Sequence, residues 1–437
     1  MMSSFTVLFF MAIVSIALHR SFLLKPLALL AIIFSFYFTY YGAVVPLEYF
    51  SSSETIRLFE LILEIVLFAV ILHEKEDITI TQTLFISVAS ILLLQSDTLM
   101  SFVLSFEALS IISVVLVSFI KTKEQANGAM KMFIAGSIAT GFLFLGVALY
   151  VIGGGVLLEP LVTTTNYFQT IGIFIMLFAL FYKITIVPFH SWAIDTYALV
   201  RPSHTAILSG IAKTVAVLAM FKFFAPFLQT HIEISIPLLA TLSILTMTLG
   251  NFLALHSTNL AKILTYSSIA QSGYMLLAFV SVESSFAKDG ILYMSIAYIF
   301  MQTAVFLALD ILRKYYNIHT LEDLKGFGTQ NSLLAFYFTI QLFSLAGIPL
   351  LAGFLGKAIL FYAGVDANLW WLVLIALLNS ALSVGYYAII IKSIYFEKSE
   401  KPKKFVEISI PLIAQFILVC GTVIFGVYAG LVINYTI

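Results

Sequence analysis

The chain has 437 residues, 61% of them hydrophobic and only 10% charged; its 22 basic and 22 acidic side chains cancel, and the mean hydropathy is +1.07. Soluble domains carry about a quarter of their residues as charges, so this composition excludes a soluble enzyme, a nucleic-acid binder and a disordered chain. An integral membrane protein is left, and with so few charges the position of each one is informative.

Crossing roughly 30 Å of hydrocarbon takes about 20 mainly apolar residues. Fourteen runs meet that need, at 4–18, 22–45, 56–72, 78–96, 98–120, 128–152, 167–190, 203–227, 234–255, 260–281, 288–312, 332–363, 368–395 and 406–434. No lysine or arginine precedes the first run, which is therefore expected to be a retained span rather than a cleaved signal. Only Gln95 to Thr98 separates the fourth run from the fifth. The connections are too short for a second domain. The expected architecture is one all-α membrane domain: three helices in 1–77, five in 78–229, five in 233–396, and a basic tether with a last span in 397–437.

Loops facing the cytoplasm carry the excess of lysine and arginine. With the amino terminus outside, sixteen basic residues fall on the inner side, among them Arg20, Lys75, Lys121, Arg201, Lys262, Arg313, Lys314 and the tether lysines 398, 401, 403 and 404. Only Arg57, Lys222 and Lys288 fall outside. Both termini are thus expected to face outward. Three basic residues remain, Lys183, Lys213 and Lys357, and all lie within predicted spans.

A lysine at the bilayer centre costs roughly 2.5 to 3.5 kcal/mol on insertion scales. Three of them, with Glu107 in the fifth span, need buried partners or a hydrated cavity. A structural ion pair at each is the plain reading; a proton or cation path through the mid-membrane is the functional one. Glu60 and Glu64 share a face of the third span, with Arg57 one turn before, and read as a stripe packed on a neighbouring helix or subunit, with a proton relay as the alternative. Asp310 is expected to snorkel in a surface pair with Arg313 and Lys314. His19, His73, His204, His231 and His319 are expected at solvated loops. His190 and His256 lie closer to the core, and His190 is the one carried forward as a candidate.

Of the spans that contain a proline, two carry it close to an intramembrane lysine, in Lys183-Ile-Thr-Ile-Val-Pro188-Phe-His190 and in Leu345-Ala-Gly-Ile-Pro349-Leu-Leu-Ala-Gly353-Phe-Leu-Gly356-Lys357. Proline removes a backbone donor and clashes with the preceding turn, so the seventh and twelfth spans are expected to break. Broken helices in corresponding halves point to a transporter's ion site. The prolines are 161 residues apart, and the same offset lays Ser96-Asp97-Thr98-Leu99 on Ser257-Thr258-Asn259-Leu260. Spans four to eight therefore read as repeated in spans nine to thirteen, and an odd number of helices inverts the second copy.

Soluble catalysis has no motif here: Gly153-Gly154-Gly155 lacks the lysine of a phosphate loop, and Gly326-Phe-Gly328 lacks the third glycine of a dinucleotide site. A single cysteine, Cys420, excludes an internal disulfide, a thiolate zinc cluster and a cysteine-ligated iron–sulfur centre.

Three stretches carry a likeness. Phe181-Tyr-Lys183-Ile-Thr-Ile-Val-Pro188-Phe-His190-Ser-Trp192-Ala-Ile-Asp195-Thr-Tyr197, Asn259-Leu-Ala-Lys262-Ile-Leu-Thr-Tyr266-Ser267-Ser268-Ile-Ala-Gln271-Ser-Gly273-Tyr274, and Leu321-Glu-Asp323-Leu-Lys-Gly326 leading into the Pro349 segment resemble the antiporter-like, proton-translocating membrane subunits of respiratory complex I. The N-subunit branch, counterpart of mitochondrial subunit two, is the nearest in pattern, from about Glu107 to Tyr387.

That resemblance implies fourteen transmembrane helices in two inverted five-helix repeats. It pairs Glu107 with Lys183, puts Lys213 on an inner half-channel and Lys357 on an outer one, and lets Tyr266, Ser267 and Ser268 complete a hydrated axis with His190. It implies a subunit of a proton-translocating NADH, ferredoxin or F(420)H(2):quinone oxidoreductase, in a prokaryotic inner or plasma membrane, without redox chemistry of its own. Flavin, iron–sulfur clusters and quinone would belong to partner subunits, and its neighbours would be other antiporter-like and small membrane subunits and lipid, with no metal or nucleic acid bound. The chain departs from the family pattern at Ile194, at Leu199-Val-Arg201-Pro-Ser203, and at Gln271, where relatives often have histidine. The rival readings are an Mrp-type cation/proton antiporter subunit, a membrane-bound hydrogenase-type pumping subunit, a structural subunit with a disused channel, and a solute carrier.

Overall fold

A computed structural model describes residues 3–41, 49–119, 122–159, 161, 166–398 and 409–428. Lys121, Lys401, Lys403, Lys404 and most of the basic tether lie outside them. The described residues are helical throughout apart from turns and two isolated bridges. In chain order the helices are α1 (Ser4–Ala17), α2 (Leu24–Tyr40), α3 (Glu54–His73), α4 (Asp77–Gln95), α5 (Leu99–Ser118), α6 (Lys123–Ile152), α7 (Tyr167–Phe181), α8 (Ser191–Leu199), α9 (Pro202–Thr205), α10 (Lys213–Thr230), α11 (Ile232–Leu255), α12 (Leu260–Val280), α13 (Phe286–Tyr316), α14 (Ser332–Ala346), α15 (Ala352–Asp366), α16 (Trp370–Tyr395) and α17 (Ser409–Val427). A π-helical turn, Ala206–Ala212, joins α9 to α10.

Among the described residues nine helices, counting Pro202–Thr230 as one, are long and apolar enough to cross a membrane. Four more, α1, α2, α7 and α14, are apolar but shorter. The chain is an integral, multi-pass, all-helical membrane protein. α7 and α14 are short for a local reason. Each stops several residues before a proline, and the chain resumes as α8 and α15 beyond it. The close division between α4 and α5 is made by Thr98, whose hydroxyl accepts from the Ser101 amide while Ser101 caps the Thr98 amide in return. Asn259, at the matching offset, caps α12 by accepting from the Lys262 amide.

Contacts divide the chain into two compact units. The first comprises Met1–Leu199 and Ala212–Leu238. In it α6 packs along α7 and α8, and α4 packs on α1, α5 and α10. The second comprises Val200–Ile211 and Leu239–Ile437. Its centre is α13, of 31 residues, which packs on α9, α12, α14, α15 and α17. The apolar window of α13 is buried in full, so a charged group on it is costly unless it is paired in the interior.

That burial overturns the expectation for Asp310. The carboxylate is 3% exposed and meets Arg201, with Nε to Oδ1 at 3.2 Å and Nη2 to Oδ2 at 3.5 Å. A fork-on-fork pair replaces the snorkelling surface contact, because the turn bearing Asp310 is still inside the packed unit. Three histidines also differ from expectation. His204 is buried in α9, the turn Arg201 caps against α13, and His73 is buried at the end of α3. There Lys25 closes the helix by donating to the Leu72 and Glu74 carbonyls at 2.8 and 2.7 Å. His256, expected nearer the core, follows the end of α11 and is exposed.

Candidate functional site

In the first unit, α5 carries Glu107 and Ser113, α6 carries Thr140, and Lys183 lies just beyond the end of α7. Glu107, Thr140 and Lys183 line one cavity of about 410 Å³ with Phe106, Met132 and Tyr182. The Thr140 hydroxyl bridges both Glu107 carboxylate oxygens at 3.1 and 3.0 Å. The Lys183 ammonium donates to Ser113 Oγ at 2.9 Å, and Ser113 in turn donates to the Leu109 carbonyl at 2.6 Å. Glu107 and Lys183 thus face the same space with no ion pair closed within 4.0 Å. Each has a nearer neutral partner, so the pairing the resemblance implies is open in this structure.

Past Phe181 the backbone turns irregularly through 182–190 and satisfies itself locally. The Ile186 amide bonds the Phe181 carbonyl at 3.1 Å, and Trp192 Nε1 donates to the Tyr182 carbonyl at 3.1 Å. Such backbone is tolerated at membrane depth only when enclosed by protein or trapped water. Thr185, held at φ 61, points its hydroxyl to the Lys213 ammonium at 3.0 Å. Lys213 starts α10 and is fully buried. Pro188 is exposed at the break and His190 half-buried after it.

In the second unit α14 ends at Ala346, with Gly347 left-handed at φ 89 as its C-cap. Pro349 follows. Lys357, one and a half turns into α15 and 3% exposed, reaches back to the carbonyls of Leu345 and Ala346 at 2.9 and 3.2 Å, and to Ser380 Oγ at 3.2 Å. Its ammonium also lies 4.8 Å from the centre of the Tyr274 ring. The last carbonyls of a helix carry the negative end of its dipole, about half an elementary charge. A half-helix therefore does for Lys357 what a carboxylate would do elsewhere. Gln271 donates to the same Leu345 carbonyl at 3.0 Å, so it belongs to this site as a fixed amide.

A second polar network lies beside it. Ser209, carried on the π-turn, meets Ser268 at 2.9 Å and accepts from Gln302 Nε2 at 2.9 Å, while Ser268 meets the Tyr298 hydroxyl at 2.8 Å. Ser267 bonds the Tyr387 hydroxyl. Asn251 donates to Tyr274 and to the Asn379 carbonyl, at 3.2 and 3.0 Å, and accepts from Tyr386 at 3.1 Å. Ser267 and Ser268 are fully buried, whereas Tyr266 is only half-buried. π-turns recur at functional positions because the extra residue re-aims the side chains of one turn.

Sequence reasoning passed over Ser113, Thr140, Thr185, Ser209, Asn251, Tyr298, Gln302 and Ser380. Hydroxyl residues are common in apolar helices, where they bond the carbonyl one turn back, as Thr265 and Thr246 do here. Only the buried amides Asn251 and Gln302 stand out by residue type, and they were discernible as polar residues inside predicted spans.

Residues 96–383 match the family described as NADH:quinone oxidoreductase/Mrp antiporter, TM. The chain is 35% identical over 363 residues to NADH-quinone oxidoreductase subunit N of Trichlorobacter lovleyi, covering 80% of this chain and 74% of that one. It is 31% identical over 376 residues to F(420)H(2) dehydrogenase subunit N of Methanosarcina mazei, covering 82% and 75%. Among solved structures it superposes on a chain of respiratory complex I from Thermus thermophilus with bound aureothin at a TM-score of 0.85, with 22% identity and coverage of 99% and 98%. A chain of the Mrp complex from Dietzia sp. DQ12-45-1b gives a TM-score of 0.86 at 18% identity, covering 99% and 96%. The fold is thus shared beyond the reach of close sequence likeness, and the chain belongs to the NADH:quinone oxidoreductase/Mrp antiporter transmembrane family, as a complex I-type antiporter-like subunit related to the N subunits.

Proposed function

We propose that this chain carries protons across the membrane through Glu107, Lys183, Lys213 and Lys357, driven by electron transfer in partner subunits of a complex I-like oxidoreductase. The observation that supports this most is the Glu107–Lys183 cavity, where a carboxylate and an ammonium face one space, each bonded to a neutral hydroxyl. A structural ion pair would be closed.

Opening and closing that pair is the switch. With the pair closed, the carboxylate neutralises Lys183 and a proton on Lys213 is tolerated. With it open, the positive charge at Lys183 destabilises a second cation nearby. Two unit charges about 7 Å apart at an effective dielectric near 20 interact by roughly 2 kcal/mol, enough to change the occupancy of a neighbouring proton site more than tenfold. Thr185, two residues after Lys183, touches the Lys213 ammonium directly, so movement of the break is felt at Lys213. Lys357, on its half-helix carbonyls, belongs to the path, whose supporting polar groups are Ser267, Ser268, Gln271 and Tyr266 in the second unit and His190 in the first. Fourteen crossings, ten of them in two inverted five-helix repeats broken at Pro188 and Pro349, with both termini on the outer side of a prokaryotic plasma membrane, complete the reading. Flavin, iron–sulfur clusters and quinone are placed in the partner subunits and no cofactor in this chain.

In the reconstituted parent complex, Glu107→Gln and Lys213→Ala are each expected to suppress proton pumping while the complex still assembles. Pumping at the unmodified ratio in both variants overturns the scheme, and sodium flux through the isolated chain favours an Mrp-type antiporter instead.

A further inference from the structure

The first unit holds a second set of buried acidic groups that the lysine axis does not use. Glu60 and Glu64 lie four residues apart on α3, hence on one face. They are 2% and 0% exposed. Their partners are neutral: Gln95 Nε2 donates to Glu60 Oε1 at 2.8 Å, and the hydroxyls of Ser35 and Thr39 on α2 reach Glu64 Oε1, that of Thr39 at 3.1 Å. Glu64 Oε2 is buried and has no hydrogen-bond partner among the described residues. Among the described residues, no cation comes within the 4.0 Å of an ion pair with either carboxyl group.

The charged groups around them are few. Arg57 lies one turn before Glu60 on α3, and its buried Nε has no hydrogen-bond partner among the described residues. Lys222 on α10 donates to the carbonyls that flank Gln95, Leu94 at 3.2 Å and Ser96 at 3.0 Å, and to the Asp97 carboxylate at 3.1 Å. The Lys222 and Asp97 side chains are each one-third exposed. α2 offers hydroxyls and no charge near the pair. Two carboxylates stacked one turn apart without a bonded cation would repel each other and forfeit hydration worth several kcal/mol per ion. One bound proton removes the repulsion and gives the bare oxygen of Glu64 a role.

We propose that Glu60 and Glu64 form a proton-binding site, holding one proton between them and exchanging it at the membrane face where Asp97 and Lys222 reach solvent. It is separate from the Glu107–Lys183–Lys213–Lys357 set and stands even if those groups prove structural. Hydrophobic carbodiimides modify buried carboxylic acids and spare carboxylates. The test treats native membranes containing the parent complex with N,N′-dicyclohexylcarbodiimide over a range of pH and maps adducts by peptide mass spectrometry. The expected result is an adduct on the α3 peptide that fades as pH rises, is lost from position 64 in Glu64→Gln, and persists in Glu107→Gln. An unmodified α3 peptide at every pH, in membranes where the reagent has modified other carboxyls of the complex, overturns the proposal. The wild-type measurement needs no variant, and Glu60→Gln supplies the second substitution if Glu64→Gln fails to accumulate.

Discussion

A charged side chain inside hydrocarbon is retained only where neighbouring atoms replace the water it has lost. In this chain the replacements differ from lysine to lysine. Lys183 has a serine hydroxyl and a distant carboxylate, Lys213 a threonine, and Lys357 the end of a half-helix. Arg201 and Asp310 follow the other solution, a direct pair with side chains 17% and 5% exposed. Removing one partner from a buried pair leaves the other uncompensated and costs roughly 3 to 5 kcal/mol. Arg201→Ala is therefore expected to lower the thermal stability of the purified protein markedly. Arg201→Leu with Asp310→Leu should recover part of the loss, since neither member of the pair is left alone, while Arg313 loses the Asp310 charge beside it; equal damage in single and double variants would show that the pair contributes packing rather than charge.

At the scale of elements, the breaks matter more than the helices they separate. The turn between α14 and α15 frees the carbonyls that Lys357 uses, and it closes tightly because Gly353 lies against α14: its amide donates to Ser344 Oγ at 3.1 Å, and a Cβ there would collide with the Ser344 carbonyl oxygen. That obstacle is backbone and cannot rotate away. Gly353→Ala is expected to cost about 1 to 3 kcal/mol, the usual penalty of overpacking, with loss of pumping as Lys357 leaves its carbonyls. Gly141→Ala in α6, where a Cβ meets nothing within 4 Å, should be neutral or stabilising by up to about 1 kcal/mol. Melting temperatures of the two variants in detergent, measured side by side, check the contrast; similar losses in both would rule out the tight turn as the cause.

At the scale of the whole molecule, orientation is the property that most needs a direct measurement. α13 has 31 residues, about 46 Å at 1.5 Å per residue, more than a hydrocarbon core, and it separates Glu283 from Glu322. Both are exposed. In a Cys420→Ala background, Glu283→Cys is expected to react with an impermeant maleimide added outside sealed cells, and Glu322→Cys only after the membrane is opened. The opposite pattern would invert the topology drawn from the lysines and arginines.

Much of this was legible in the sequence, for physical reasons that operate locally. Composition settles the membrane class, because backbone in lipid must be helical or barrel and a run of apolar residues has few other homes. Pro188 and Pro349 lie beyond the ends of α7 and α14, whereas Pro226 and Pro237 sit inside α10 and α11, so proline marks a break only where the neighbouring residues also leave the helix; threonine and asparagine mark where α5 and α12 begin. The burial cost of lysine singles out Lys183, Lys213 and Lys357 without any coordinates. Partners are another matter. Which hydroxyl meets which ammonium, that Asp310 faces Arg201 across 109 residues of chain, and that Gln271 shares a carbonyl with Lys357 depend on how helices distant in sequence are rotated against one another. In a helix such as α13, whose apolar window is buried on every side, no solvent-exposed face records that rotation. The sequence by itself determined which residues need partners, and only the tertiary structure decided which partners they have.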